Sequence, residues 1–406
     1  MDAIIVGGGI AGLCCAKELH SRNKSFVLLE ASDRVGGRIA TDDVDGFKLD
    51  RGFQVFLTAY PEAKRVLDYG SLDLKAFEPG ALIFHEGKLH RLSDPWRRPQ
   101  HLLATALSSA ATFSDKLKIS KLRSFVSKGS LAELIRRPEL PTYQALERFG
   151  FSDVIIQRFF APFLGGIFLD GELETSTRMF EFVFRMFSQG EATVPSAGMQ
   201  AIPQQIAKSL PNDAIRLNTR VNDITDQTVT TEAGEKLDAK AIVLATANPE
   251  ASQLAEIEER SECGVTCVYF SADKPPVNEA ILVLNGDGRG PINNLCVQSL
   301  VSQSYAPSGK HLVSATVLGA DAGEHVVDDV KSQLKEWFGN EAESYRHLKT
   351  YRIPFALPSQ AKLDPLEKPA ELRPGLFRCS DDCDTASING AMAAGRRAAE
   401  AVAKAL

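Results

Sequence analysis

The chain has no apolar, uncharged run long enough to cross a bilayer, so it is not expected to be an integral membrane protein. Positive charge is also in short supply. Its 46 Lys and Arg stand against 52 Asp and Glu, and a net charge of −6 gives no reason to expect nucleic acid as a partner. Internal repeats and low-complexity segments are absent. Seven cysteines are present, and the pairs Cys263/Cys267 and Cys379/Cys383 are separated by three residues with no histidine nearby. That is not zinc spacing, so no metal is expected. The odd count, with Cys14-Cys15 on a predicted helix, reads as reduced thiols of a cytoplasmic protein. Met1-Asp2 leads straight into the first apolar run, which leaves no room for a signal peptide.

What is present begins with length: 406 residues, 44% hydrophobic and 24% charged, predict two intimately joined domains. The first forty residues organise the rest. Ala3-Ile4-Ile5-Val6 is short, apolar and β-branched, as suits a strand buried on both faces of a parallel sheet. The spacing Gly7-x-Gly9-x-x-Gly12 follows at once and opens a predicted helix from Leu13 to His20. Gly7 permits a tight turn, Gly9 lets a pyrophosphate approach the backbone, and Gly12 lets helix and strand pack closely. The helix N-terminus, at Ile10 and Ala11, presents N–H donors and a positive dipole end. A second predicted strand, Ser25 to Leu29, ends in Glu30, where an acid would accept a ribose hydroxyl pair and disfavour a 2′-phosphate. Beyond it, Ala31, Arg34, Gly36, Gly37 and Arg38 place two fork-shaped guanidinium groups and a second glycine pair next to the ribose position.

This stretch resembles the FAD-binding N-terminus of the flavin amine oxidase superfamily, which includes monoamine oxidases, phytoene desaturases and protoporphyrinogen oxidases. The resemblance continues along the chain. In residues 46–56 it implies that Gly52 lets the backbone approach the flavin, with Phe53 and Gln54 beside it and Phe53 and Phe56 towards the substrate; a plain hairpin with core aromatics is the alternative. Phe159-Phe160-Ala161-Pro162-Phe163-Leu164-Gly165-Gly166 resembles the helical substrate domain of protoporphyrinogen oxidases and desaturases. Val194-Pro195-Ser196-Ala197-Gly198-Met199 resembles the return into the FAD domain, with Ala197 where the family usually has glycine. Val221 is implied to meet the adenine through its backbone. Near the C-terminus, Asp381 is implied to hold the ribityl or phosphate region and the N–H groups near Ile388 to stabilise negative charge at the flavin's pyrimidine end. Ser380 replaces a usual glycine there.

The implied fold is α/β: a Rossmann-type FAD-binding domain (residues 1–80, 191–260 and 351–406) interleaved with an α+β substrate domain (81–190 and 261–350) built of an antiparallel sheet and a helical cap. The implied function is dehydrogenation or desaturation of a hydrophobic small molecule by hydride transfer to flavin N5, with oxygen or a quinone as acceptor. Flavin amine oxidase is the alternative. Monoamine-type oxidases flank the flavin with two aromatic rings, whereas Cys383-Asp384-Thr385-Ala386-Ser387-Ile388 holds none, and Tyr351 or Phe355 could supply one wall only. A third reading is a non-catalytic relative of the same fold that binds prenylated proteins; the intact glycine fingerprint, Glu30, Arg38 and Asp381 argue against it. No His, Asp or Glu stands out as an obligatory base, so no catalytic residue is assigned.

Two stretches carry a double reading. Residues 159–187 are dense in phenylalanine, including Phe163, and fit either a core or the wall of an apolar tunnel. Residues 85–128 carry a local excess of six positive charges around Leu102-Leu103-Ala104-Thr105-Ala106-Leu107, a predicted helix. That pattern fits a solvated helical face or peripheral contact with an anionic membrane.

Overall fold

A computed structural model describes residues 1–93, 112–255, 257–363 and 365–406. The strand Ala3–Val6 is buried along its whole length and lies near the middle of a six-stranded sheet. It pairs in parallel with Phe26–Leu29 on one side and Ala241–Leu244 on the other, Ala3 standing opposite both Phe26 and Ala241. The order runs Ile215–Arg216, Phe26–Leu29, Ala3–Val6, Ala241–Leu244, Leu376–Arg378, Glu371–Arg373, and only the last pair is antiparallel. Strands so aliphatic need cover on both faces. One face packs on the helices Ile10–Ser21 and Ile388–Ala405, and the other on a three-stranded hairpin unit through Ile224 and Val229. The two helices meet at a glycine: a Cβ on Gly395 would lie 2.2 Å from the Ala11 carbonyl oxygen.

The second sheet has seven strands, ordered Arg346–Pro358, Glu262–Ala272, His311–Leu318, Asn294–Val297, Leu282–Asn285, Gly80–His85, Lys88–Ser93. It is antiparallel except where Leu282–Asn285 meets Gly80–His85 in parallel, the seam between two separate stretches of chain. The helix Val326–Phe338 covers its outer face, and Trp337 stacks on Phe84 with ring centroids 4.8 Å apart. Arg346–Pro358 belongs to this sheet over its full length, so a boundary at residue 351 falls inside a strand.

Helices from residues 113–189 form a third layer. Thr112 and Asp115 cap Phe113–Ser127 reciprocally. A π-helical turn at Ile156–Phe160 precedes Ala161–Phe168, so the helix changes winding just ahead of Pro162, which has no N–H to give. Phe160, Phe180 and Phe182 are buried in the core of this layer. The helix expected at Leu102 to Leu107, with Arg97 and Arg98, lies outside the described residues. No helix among the described residues is long and apolar enough to cross a membrane.

Candidate active site

A cavity of about 1160 Å³ runs from the carboxyl ends of the parallel strands to the inner face of the seven-stranded sheet. Open α/β sheets bind ligands at that edge. Most residues expected there from sequence line it: Gly7, Gly9, Ile10, Ala11, Glu30, Ala31, Gly36, Gly37, Arg38, Gly52, Phe53, Gln54, Phe163, Val221, Tyr351, Asp381 and Ile388.

The fingerprint loop is shaped by its glycines. Gly7 has φ +111°, and a Cβ there would sit 2.8 Å from the Ala245 carbonyl oxygen. Gly9 is open, with nothing within 4 Å of its would-be Cβ, and no side chain caps the helix that it starts. The first-turn N–H groups therefore face the cavity without a side-chain acceptor. Gly12 does not line the cavity: its role is packing, since a Cβ there would stand 2.0 Å from the Gly7 oxygen.

Glu30 is fixed in place by the loop. Its Oε2 accepts from the Gly8 N–H at 2.6 Å and its Oε1 from the Ser32 N–H at 2.8 Å. Arg38 donates to Asp381 Oδ1 at 2.5 Å and to the Ala356 oxygen at 3.0 Å. Burial works against charge on Asp381, yet the neighbouring guanidinium holds its carboxyl below the usual range. Ser380 costs nothing in place of glycine because its φ of −158° is extended backbone open to any residue. Ser387 caps the helix that Ile388 begins by accepting from the Gly390 N–H at 3.1 Å. Gln54 Nε2 donates to the carbonyls of Arg38 and Arg51, both at 3.0 Å, so this side chain ties the two loops together.

Besides Gly12, three expected residues are not brought to the cavity. Arg34 turns away to Asp42 (2.8 Å) and the Thr41 carbonyl (3.2 Å), because the hairpin of Thr41–Val44 and Phe47–Asp50 places a carboxylate beside it. Phe56 is fully buried, with its ring edge-on to Tyr60 and Tyr69; in a strand the alternate residue, Leu57, faces the cavity instead. Phe355 is 48% exposed, while its strand neighbours Pro354 and Ala356 line the cavity.

Other residues at the site were not found in the sequence. Thr246 sits just past the buried strand Ala241–Leu244, and its hydroxyl is buried in the cavity lining with no partner. Its place at a strand's carboxyl end was a usable signal. Asp42 holds Arg34, Arg51, Lys349 and the Tyr351 hydroxyl (2.7 Å) at once. Leu169 lines the cavity at φ +57°, unusual for a leucine. Asn294 and Thr316 stand among the apolar lining with no sequence signal at all.

The family described as "Flavin containing amine oxidoreductase" matches residues 10–403. The chain belongs to that family. The family's description, a flavin containing oxidoreductase, agrees with the cofactor and enzyme class expected from the sequence. It is 27% identical over 179 residues to protoporphyrinogen oxidase 1, chloroplastic, of Spinacia oleracea, covering 41% of this chain and 29% of that one. It is 26% identical over 208 residues to coproporphyrinogen III oxidase of Mycobacterium tuberculosis, covering 49% of this chain and 44% of that one. The matched stretch is thus less than half the length of either relative. Among solved structures, cyclohexylamine oxidase from Brevibacterium oxydans superposes with a TM-score of 0.74 at 16% identity, covering 99% of this chain and 98% of that one. That likeness shows the fold.

The residues present fit FAD. The uncapped helix start and the Thr246 hydroxyl are polar groups without a side-chain partner, Gly9 leaves the backbone open beside them, and the Glu30 carboxylate, held by Gly8 and Ser32, lines the same channel. A cavity this size exceeds the usual range for small ligands, roughly 300–1000 Å³, and so has room for a dinucleotide and a substrate.

One carboxyl near the site titrates in an accessible range. Burial, with Asp381 and Asp382 adding to it and Arg38 opposing, pushes Glu262 up from 4.5 to about 7. A carboxyl raised on folding contributes stability that is complete below its unfolded value and is lost as pH rises through the folded one. Stability should therefore fall between pH 4.5 and about 7. Denaturant unfolding across that window should show a shallower fall in Glu262→Gln, and equal slopes in the two proteins would refute the assignment.

Proposed function

We propose that the protein dehydrogenates or desaturates an apolar small molecule. The observation that carries this reading is the wall of the cavity's inner half. Phe163, Phe168, Phe187, Met179, Val183 and Leu282 line it, and the carboxylates among the cavity-lining residues (Glu30, Asp42, Glu250, Asp381) lie elsewhere, on the nucleotide-binding segments or the hairpin beside them. Such a wall desolvates a hydrocarbon or macrocycle favourably but leaves a charged amine without a partner, at a cost of several kcal/mol. Ala386, Ser387 and Ile388, at the start of the C-terminal helix, offer no second aromatic ring.

FAD, when bound, supplies a two-electron acceptor at its isoalloxazine ring. The chain's part is to bind, orient and keep water out. The glycine loop and Glu30 anchor the nucleotide, Arg38 and Asp381 fix each other at the centre, and the phenylalanine wall excludes water. No base is required of the chain for removal of a hydride equivalent.

Anaerobic mixing of the holoenzyme with donors tests this. Isoprenoid-like or porphyrinogen-like donors should bleach the flavin absorbance faster than benzylamine or a polyamine. Rapid reduction by the amines with none by the apolar donors would make amine oxidation the better reading.

We also propose that residues 85–128 bring the protein to anionic membranes, where apolar substrates partition. Leu117 and Phe125 are 54% and 41% exposed on Phe113–Ser127, a helix that also carries Lys116, Lys118, Lys121 and Arg123. Co-sedimentation should be stronger with anionic than with neutral liposomes and should weaken with salt, because charge attraction is screened within about 10 Å at 0.1 M. Equal binding to both lipids would remove the electrostatic contact.

A further inference from the structure

The apolar half of the cavity holds one polar pair, Asn294 and Thr316, on the inner face of the seven-stranded sheet. They are direct cross-strand partners, and each is 2% exposed. The direction of their hydrogen bonds is imposed from behind. The Pro162 carbonyl can only accept, so the group that meets it at 2.8 Å is the amide nitrogen of Asn293. The same nitrogen donates its second hydrogen to Asn294 Oδ1 at 2.9 Å. Asn294 must then turn its own nitrogen to Thr316 Oγ1, 3.3 Å away. Thr316 accepts that bond, and no acceptor among the described residues takes its hydroxyl proton. The second N–H of Asn294 is likewise unspent. Gly166 makes the arrangement possible, since a Cβ there would come within 2.6 Å of Asn294 Oδ1.

At this point the wall offers two unspent hydrogen-bond donors, the Thr316 hydroxyl and the second N–H of Asn294, while both oxygens already accept a bond from the protein. We propose that Asn294 and Thr316 are specificity-determining residues that donate to an oxygen acceptor, a carbonyl or carboxylate, on an otherwise apolar substrate. The proposal rests on the apolar reading of the cavity and narrows it. A pure hydrocarbon leaves both donors buried without a partner, and an ammonium group has no lone pair to accept either hydrogen.

Three probes of one skeleton separate the cases: geranylacetone, the hydrocarbon in which CH2 replaces its carbonyl, and the amine in which CH–NH2 replaces it, each titrated calorimetrically into the FAD-loaded protein. The ketone should bind roughly tenfold more tightly than the hydrocarbon, the difference one or two neutral hydrogen bonds make. Thr316→Val should abolish most of that advantage without weakening the hydrocarbon, and Thr316→Ser, which keeps the hydroxyl, should retain it. Equal affinity for ketone and hydrocarbon, or valine and serine variants that behave alike, would overturn the polar contact and leave the apolar reading standing. Tightest binding of the amine would overturn the apolar reading itself, and no binding of any probe would overturn both.

Discussion

Arg38→Leu is expected to lose about 2–3 kcal/mol of stability and most of its bound flavin. The reason is the partner left behind. Asp381 is 7% exposed, and its Oδ1 accepts from Arg38 at 2.5 Å. Removing the guanidinium strands a carboxylate in the interior, which in buried pairs costs about 3–5 kcal/mol. The lower figure applies because the Arg38 side chain keeps 35% of its exposure, where solvent and cavity screen it. The loss also frees the Ala356 carbonyl, which Arg38 holds at 3.0 Å between the two sheets. Denaturant unfolding with and without added FAD, together with the flavin-to-protein absorbance ratio, measures both effects. Arg38→Lys should recover part of the stability, since it restores charge but not the fork. In an Arg38→Leu, Asp381→Asn double variant the penalty should shrink, because no charge is left uncompensated. A fully loaded Arg38→Leu protein of unchanged stability would show that the pair is incidental.

Glu30→Ala should weaken FAD binding roughly ten- to a hundredfold, the equivalent of losing charge-assisted hydrogen bonds worth about 1.5–3 kcal/mol. The carboxylate already accepts from the Gly8 and Ser32 N–H groups, so it holds the loop open as well as facing the ligand. Those two contributions separate experimentally. Glu30→Gln keeps the shape and one acceptor oxygen, and should fall between wild type and Glu30→Ala. Titration of FAD into the apoprotein, followed by flavin fluorescence, gives the constants. Unchanged affinity in a folded Glu30→Ala protein would reduce the residue to a loop support.

Local rules made much of the nucleotide end legible. Ala3-Ile4-Ile5-Val6, the glycine spacing and Glu30 act over neighbouring residues, so a strand, a turn, a helix start and a terminal acid follow from propensity and sterics alone. The helix begins at Ile10 and the strands pair in the register which that pattern needs. Asp381 was legible for a different reason, as part of a motif whose turn and helix start lie within ten residues of it.

What local patterns could not settle was which side of an element faces the cavity. Phe56 and Leu57 are equally apolar, and only the pairing of that short strand with Ala192–Pro195 sends Phe56 into the core and Leu57 to the cavity. Phe355 and Ala356 divide in the same way along Arg346–Pro358, and the same strand decides where the substrate sheet ends. Arg34 was lost to Asp42, a residue of a hairpin whose approach depends on Tyr351 and Lys349, more than three hundred positions further on. The sequence by itself determined which acid, arginine and glycines come together at the nucleotide end of the cavity, because the strand, turn and helix start that place them are written in adjacent residues. Only the tertiary structure decided the character of the substrate half, where Asn293, Asn294, Thr316 and Pro162 become one directed hydrogen-bond chain, because strand register and helix packing bring together groups that no local spacing relates.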